Sequence, residues 1–325
     1  MTREFEFERP ILELEKRLKD LQTLSEDGHI DLSREISAIA DKISAMKTEI
    51  FKNLEPWQVI QVARSIDRPS TLDYVKHLYG DTFVELHGDR LFGDDPAMIC
   101  GFGKIDGQSM AIIGHQKGHD TNENLFRNFG MSHPEGYRKS LRFMKMADKF
   151  NKPIVIFIDT PGAFPGIGAE ERGQSEAIAR NLHDMMKIGV PILCFVIGEG
   201  GSGGALAIGV GDKIFMLEYS IYSVITSEGC AAILWKDASK AKDAAQALKL
   251  RAQDLLECGV VDHLLAEPPG GAHKNYEATA VVIGQAIREH LPPLMKLTRE
   301  ELLTRRYNKF RQMGRFKFPQ DQENA

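Results

Sequence analysis

The sequence predicts an α/β domain that is preceded by a helical hairpin and followed by C-terminal helices. From residue 97 onward, apolar runs of strand length alternate with amphipathic stretches of helix length, as in a sheet whose strands are connected by helices. The first two runs are joined by Asp106-Gly107, a dipeptide typical of tight β-hairpins. Two heptad-spaced apolar stripes within residues 11–50 predict the helical hairpin.

The two heptad stripes are separated by a turn-rich stretch at residues 25–28. Helices of this kind must bury their apolar seams against each other, against their own domain or against a partner. Packing on the same domain and an arm for partner binding or assembly both remain open. We therefore divide the chain into the hairpin at 1–55, the α/β domain at 56–318 and a polar tail, predicted to be disordered, at 319–325.

The elements follow from the patterns in chain order. Residues 56–96 mix helical stretches with loop signals, strands at 98–105 and 108–114 follow, and the polar segment 116–136 lacks periodicity and is predicted as a long loop. The remaining predictions are a helix at 137–150, a strand at 154–158, a loop at 159–168, a helix at 173–188, strands at 192–197, 214–217 and 221–225, helices at 228–235 and 238–248, a strand at 260–265, a loop at 270–275, and helices at 277–291 and 298–313.

Composition and charge limit the function classes. The 325 residues are 42% hydrophobic and 27% charged, and a net charge of −5 does not indicate nucleic-acid binding. The N-terminus lacks the apolar core of a signal peptide and no apolar run reaches membrane-spanning length, so we expect a cytoplasmic protein that does not bind membranes. The cysteines lack the close pairing of a zinc ribbon, so we expect reduced core thiols and no metal site; they are Cys100, Cys194, Cys230 and Cys258.

The most informative segment is the glycine turn, residues 198–204, with the sequence Gly-Glu-Gly-Gly-Ser-Gly-Gly. It follows a predicted buried strand and precedes a short apolar helix. Glycines bare the backbone N–H groups at such a helix N-terminus, where they can bind an anion or an oxyanion. Three different chemistries use a turn of this kind.

The first chemistry is dinucleotide binding. Gly198, Gly200 and Gly203 match the pattern G-x-G-x-x-G after a strand, and Glu218 closes the next strand. The helix that follows the motif is short, however, because Gly211 ends the helical pattern. A dinucleotide-binding crossover normally needs a longer helix, so this interpretation is weak.

The second chemistry is serine hydrolysis. Ser202 stands in a G-x-S-x-G pattern on a strand-to-helix turn. Any serine in so glycine-rich a turn would match, so the pattern is weak evidence. The triad partners would follow in the chain, and the candidates are Asp237, Asp262, His263 and His273.

The third chemistry needs no nucleophile. A second loop at 159–166, which contains Pro161-Gly162-Ala163-Phe164-Pro165-Gly166, also leaves a buried strand and precedes a helix. Two loops that leave consecutive strands should face the same crevice. Their backbone N–H groups would then stabilise a developing enolate or ureido oxyanion.

At these residues the chain resembles the carboxyltransferase alpha subunits of the bacterial and plastid type of acetyl-CoA carboxylase. The resemblance is ordered along the chain from the N-terminal hairpin to about Arg315. The runs that carry it are 68–69, 71–74, 113–118, 128–131, 135–139, 157–163, 168–174 and 198–205.

The resemblance implies a crotonase-like (ClpP/crotonase) core of repeated ββα units and an α2β2 complex with a beta subunit that carries the zinc. The donor is carboxybiotin on the biotin carboxyl carrier protein, the acceptor is acetyl-CoA, and the product is malonyl-CoA for fatty acid synthesis. It implies no covalently bound cofactor in this chain. Biotin carboxylase is a further implied partner. This chain has no Walker-type phosphate loop, so we expect any ATP use in the complex to belong to another subunit.

The resemblance also implies which residues form the site. The backbone N–H groups of Gly203 and Gly204 would form the oxyanion hole, with Gly162 and Ala163 as a neighbouring hole or wall. Lys117 and Arg127 would meet coenzyme A phosphates, although exposed loop charges are commonly only solvated. The full set of predicted substrate contacts is Gly201, Ser202, Phe164, Lys117 and Arg127.

Two alternatives to this function remain open. One is a self-sufficient crotonase-like hydratase or a serine hydrolase that uses Ser202. The other is a non-catalytic scaffold subunit, in which the helices assemble a complex and the glycine turn serves only tight packing.

Overall fold

The computed structural model describes residues 5–28 and 31–314, and within these ranges eight strands form one mixed sheet. The strands are β1 (Val84–Glu85), β2 (Met98–Ile105), β3 (Gln108–His115), β4 (Ile154–Thr160), β5 (Ile192–Gly201), β6 (Lys213–Leu217), β7 (Ile221–Ser223) and β8 (His263–Leu265). Their order is β1-β2-β3-β4-β5-β6-β8, and β7 pairs with the end of β5. The predicted α/β class is confirmed.

Fourteen α-helices surround this sheet within the described ranges. They are α1 (Arg9–Gly28), α2 (Ser33–Lys52), α3 (Pro56–Ala63), α4 (Thr71–Tyr79), α5 (Thr121–Phe126), α6 (Pro134–Lys149), α7 (Ile167–Glu171), α8 (Gln174–Met185), α9 (Ser202–Leu206), α10 (Ser227–Trp235), α11 (Ala241–Leu248), α12 (Ala252–Glu257), α13 (Tyr276–Met295) and α14 (Arg299–Gln312).

The parallel strands bring their carboxyl ends to one edge of the sheet. β1, β2 and β3 are antiparallel neighbours, whereas β3, β4, β5, β6 and β8 run parallel. β4 is apolar up to its last two residues because both faces are covered. Ile156 packs in a core with α6 and α8, and Phe157 packs on the other face with α4 and α13.

The predicted β-hairpin at Asp106-Gly107 is confirmed. Asp106 has φ 50° and Gly107 has φ 80°, so both turn residues adopt the left-handed conformation that a two-residue hairpin with matching twist requires. β2 and β3 pair along their whole length on either side of it.

The pairing of β4 with β5 contains a β-bulge near the carboxyl end. Ile158 pairs with Val196, but the next pair joins Thr160 to Gly200. A single residue, Asp159, therefore lies opposite residues 197–199 of β5. Bulges of this kind interrupt the ladder and redirect the strand, and they are common next to active sites.

The predicted helical hairpin is confirmed, with one correction. We expected a turn at residues 25–28, but α1 continues to Gly28, so Ser25, Glu26 and Asp27 lie within the helix. The base of the hairpin is embedded in the domain: Phe51 is 2% exposed and its ring contacts Tyr219 edge-on at 5.4 Å. Near its far end Leu24 is 58% exposed.

Several element predictions need correction. The segment 116–136 is not one loop, because it contains α5 and a 3-10 turn at Asn128–Gly130 before α6 begins. α12 was not predicted, and the strands at 221–225 and 260–265 are shorter than expected. β5 runs four residues beyond the predicted end, through Gly201. The predicted tail, 319–325, lies outside the described residues, and among the described helices none is long and apolar enough to cross a membrane.

Candidate active site

The two loops that were expected to meet lie against each other. β4 leads into the Pro-Gly loop, residues 161–166, and the glycine turn spans the end of the neighbouring strand β5 and the start of α9. A Cβ atom on Gly204 would lie 2.5 Å from the carbonyl carbon of Gly162 and 2.7 Å from the amide nitrogen of Ala163. A Cβ on Gly201 would overlap the backbone of Pro161. Only glycine permits this approach, so the two backbones are in direct contact.

The start of α9 supplies open backbone donors. This helix has five residues, and no side chain caps its N-terminus. The first N–H groups of a helix have no partner within it. Among the described residues, none accepts a hydrogen bond from the N–H groups of Gly203 and Gly204. These N–H groups therefore remain available to an oxyanion.

In the adjacent Pro-Gly loop, the N–H group of Gly162 already has a hydrogen-bond acceptor. The Thr160 hydroxyl accepts the Gly162 N–H at 3.1 Å and donates to the Gly162 carbonyl at 2.6 Å. The Gly162 N–H therefore already has a partner, and the role of Gly162 as a neighbouring hole or wall stays a prediction. The Ala163 N–H makes no hydrogen bond to any residue of the described ranges and lies beside Gly204.

Phe164 is fixed as an aromatic wall next to these glycines. Its N–H donates to the Ser132 carbonyl at 3.1 Å, and its own carbonyl accepts from the Gln174 side chain at 3.0 Å. Its ring stacks on His133 with 4.1 Å between the centroids. Burial is the first cause that lowers the pKa of His133, so this imidazole is neutral near pH 7.

A buried cluster of charges lies at the base of the two loops. Lys117 Nζ lies 2.8 Å from Asp159 Oδ1 and 2.8 Å from Glu199 Oε2. Arg64 Nε lies 2.7 Å from Glu199 Oε1. Burial raises the pKa of Glu199, but Lys117 and Arg64 outweigh it, so the pKa is lowered and the carboxylate stays ionised.

The sequence analysis did not identify Asp159, Glu199 or Arg64 as residues of the site. For Lys117 it predicted contact with a phosphate of coenzyme A. A signal was present: Asp159 and Glu199 are carboxylates at the ends of two adjacent, otherwise apolar strands. Buried charges need partners of opposite sign, so a cation had to be nearby.

Arg127, the second predicted phosphate contact, is also bound within the protein. Its guanidinium donates to the Pro96 carbonyl at 2.9 Å, and its side chain is 17% exposed. Its Nε is buried, lies 4.0 Å from Glu123 Oε1 and makes no hydrogen bond within residues 5–28 and 31–314. The phosphate role of this residue stays a prediction.

Ser202 lacks the surroundings of a catalytic serine. Its φ is 50°, yet no histidine or carboxylate of the described chain hydrogen-bonds to it. The expected triad partners are engaged elsewhere: Asp262 accepts from the Lys309 ammonium, and His263 stacks on Phe215. Asp237 caps a 3-10 turn through the Ser239 N–H, and the His273 ring lies edge-on to Phe5.

His115, at the end of β3, is a buried imidazole near the site. It is 0% exposed, and neither ring nitrogen makes a hydrogen bond of regular geometry among the described residues, but the Gly204 backbone is close enough to oppose the lowering of its pKa. Burial, with a smaller contribution from Lys117, lowers the pKa of His115 to about 3. The ring is therefore neutral at physiological pH and cannot serve as a general acid there.

An apolar cavity and an apolar rim adjoin the glycine turn. The cavity, about 300 Å³ in volume, opens beside Ser202 and is lined mainly by apolar side chains that include Val210, Tyr222 and Phe310. The rim consists of exposed side chains on three segments around the loops: Ile167 (80%), Leu206 (42%) and Val224 (73%). In the described part of the chain, no group of three or more His, Cys, Asp or Glu residues is placed to hold a metal ion.

Comparison with known proteins supports one family. Residues 4–314 match the family described as acetyl co-enzyme A carboxylase carboxyltransferase-like. A protein of Geobacter metallireducens is 56% identical over 313 residues, which cover 96% of this chain and 98% of that protein. One of Bacillus subtilis is 52% identical over 315 residues, 97% of each chain. Both are named acetyl-coenzyme A carboxylase carboxyl transferase subunit alpha.

Solved structures of lower identity share the fold. A Pseudomonas malonate decarboxylase hetero-tetramer in complex with coenzyme A contains a chain with a TM-score of 0.59 at 17% identity, over 75% of this chain and 95% of that one. Transcarboxylase 12S aligns with a TM-score of 0.53 at 19% identity, over 67% of this chain and 42% of its own. These likenesses confirm the crotonase-like core that was expected.

Proposed function

This chain belongs to the family of acetyl-coenzyme A carboxylase carboxyltransferase alpha subunits, and from that premise we infer that its two glycine loops form one half of a carboxyl-transfer site. The chain acts on carboxybiotin presented by a carrier protein and, with a beta subunit, transfers the carboxyl group to acetyl-CoA to give malonyl-CoA. The single observation that carries the site is the contact of Gly204 with Gly162 and Ala163 at the uncapped start of α9.

The chemistry then needs no acid–base pair from this chain. Carboxybiotin releases CO2 and becomes a ureido anion, whose nitrogen takes a proton from the acetyl methyl group. The enolate that results attacks CO2. The N–H groups of Gly203 and Gly204 stabilise the ureido oxyanion, and the beta subunit supplies the donors for the thioester oxyanion. One such donor typically contributes about 2.7–4 kcal/mol to lowering the barrier.

A partner subunit would complete the site at its apolar rim. Ile167, Leu206 and Val224 stand exposed around the loops, and apolar surface at such a position marks interaction sites. The relatives are named as subunits, and the malonate decarboxylase neighbour is a hetero-tetramer. We propose an α2β2 assembly that works with the biotin carboxyl carrier protein and with a biotin carboxylase, which would use the ATP. Any zinc would lie in the beta subunit.

The test is carboxyl transfer by the assembled complex with matched glycine variants. Gly204→Ala should lower transfer at least about 10²-fold, because its Cβ would force the Pro-Gly loop away from the donors. Gly93→Ala is the control: Gly93 lies outside both loops, and no atom would lie within 4 Å of its Cβ. Size-exclusion chromatography should show intact assembly for both.

Other outcomes would support the alternatives. Equal activity of the two variants would show that the site is wrongly placed. Transfer by this chain without a beta subunit would contradict an obligate two-subunit site. A complex that forms but never transfers a carboxyl group would favour the scaffold.

A further inference from the structure

We propose that Lys117 is a positioning residue that holds the Pro-Gly loop and the glycine turn together, and that it does not bind a phosphate of coenzyme A. The contacts that define this role are independent of the reaction. The expected effect on catalysis rests on the function proposed above.

Lys117 links three adjacent strands at their carboxyl ends. It follows β3 by two residues, and the sheet order is β3-β4-β5. Its ammonium reaches Asp159 of β4 and Glu199 of β5, at 2.8 Å each. Two residues after Asp159 the Pro-Gly loop begins, and Glu199 lies within the glycine turn. The ammonium therefore ties the base of one loop to the base of the other.

This tie stands where the backbone ladder is interrupted. The β-bulge leaves residues 197–199 without regular partners in β4. The Ile197 carbonyl accepts from Arg68 Nε at 2.6 Å, and the Glu199 N–H donates to Asp159 Oδ1 at 2.9 Å. Hydrogen bonds to side chains thus replace the missing ladder bonds. One of them depends on the carboxylate of Asp159, whose charge Lys117 neutralises.

Charge balance gives Lys117 a second effect on the site. Asp159 and Glu199 are 6% and 9% exposed in their side chains, so their charges are poorly screened. Without Lys117, the described residues would leave Asp159 with no ion pair and Glu199 with Arg64, whose guanidinium also pairs with Glu228 at 2.8 Å. An unneutralised carboxylate behind the open N–H groups would disfavour the oxyanion that they are to bind.

The surroundings of Lys117 disfavour a ligand-binding role. Its side chain is 19% exposed, and a Cβ on Gly130 would lie 3.0 Å from its Cγ, so the aliphatic stem is enclosed. Burial lowers the pKa of Lys117, but Asp159 and Glu199 outweigh burial and raise the pKa above its usual value. The two carboxylates already occupy two of the three ammonium N–H groups, and their negative charge would repel an approaching phosphate.

The experiment measures carboxyl transfer by the assembled complex and amide hydrogen exchange of the same proteins. Lys117→Met should lower kcat about 10²-fold, while KM for acetyl-CoA changes less than about threefold. Lys117→Arg should restore part of kcat because it keeps the charge. Lys145→Met is the control, since it removes an ion pair of similar length, 2.7 Å to Asp184, on the exposed face of α6.

Hydrogen exchange supplies a readout without catalysis. Lys117→Met should accelerate exchange at residues 160–163 and 198–204. Asp159→Asn, which preserves the shape of the side chain, should accelerate exchange at the same residues. It provides the test if Lys117→Met does not fold. Unchanged exchange in both variants would overturn the proposal.

The phosphate alternative has its own signature. A higher KM for acetyl-CoA with normal kcat, and unchanged use of acetyl-pantetheine, which lacks the nucleotide phosphates, would show that Lys117 binds coenzyme A. Absence of transfer by the wild-type complex would count against the proposed function only, because the exchange measurement would still test the tie.

Discussion

Ser202 is the residue at which a hydrolase and a carboxyltransferase make opposite predictions. Its hydroxyl has no base among its described neighbours, whereas the backbone N–H groups that follow it are open. Ser202→Ala keeps every backbone donor, so transfer should change less than about threefold. Complete loss of activity with intact assembly would instead support a nucleophilic role for the hydroxyl.

His119, which lies outside the two glycine loops, makes the free energy of unfolding depend on pH. Its Nε2 lies 2.8 Å from Asp73 Oδ2, and this contact is the main cause that raises the pKa of His119 from 6.5 to about 9. A raised histidine pKa contributes stability in full below pH 6.5, and the contribution is lost as the pH rises through about 9. The pKa of Asp73 is lowered, so its contribution is lost only in acid.

We therefore expect urea-unfolding midpoints of the wild type and of His119→Gln to converge between about pH 7 and 10. The matched control is His77→Gln, which replaces an exposed histidine on α4 that makes no such pair. A constant difference between wild type and His119→Gln across that range would contradict the assignment.

At the scale of the elements, the sequence was informative wherever the signal is local. The Asp106-Gly107 hairpin and the exit of the two glycine loops from adjacent strands follow from short runs and are confirmed. α5 was missed although Asp120 caps it by accepting the Glu123 N–H, and an acid three residues before a glutamate is a start signal. The Lys117 cluster joins residues far apart in the chain, so only the fold could bring them together.

Substitutions at the base of the N-terminal hairpin should lower the stability of the protein, whereas substitutions near its tip should have little effect. Phe51→Ala should lower the free energy of unfolding by about 3–5 kcal/mol, because Phe51 is 2% exposed between the hairpin and the domain. Leu24→Ala, at 58% exposure, should change it by less than about 0.5 kcal/mol. Small and equal effects in denaturant melts would show that the hairpin docks loosely and acts mainly as an arm.

For the whole molecule, the apolar rim predicts where assembly fails. Val224→Glu places a charge beside the glycine turn on a side chain that is 73% exposed, so folding should be unaffected while binding of the beta subunit weakens. Val281→Glu is the matched control on α13, where Val281 is 50% exposed. Analytical ultracentrifugation should show dissociation of the first variant alone, and equal assembly would move the interface elsewhere.

The β-bulge between β4 and β5 has a consequence for how the gene of this chain can vary in length. Side chains alternate between the two faces of a strand, so the removal of one codon between Val196 and Gly200 would turn Glu199 to the opposite face. Its carboxylate would then leave Lys117 and Arg64, and the glycines that follow would lose their alignment with the Pro-Gly loop. We therefore expect related sequences to differ in the composition and even the length of their surface loops. Between Val196 and Gly204 they should contain no insertions or deletions.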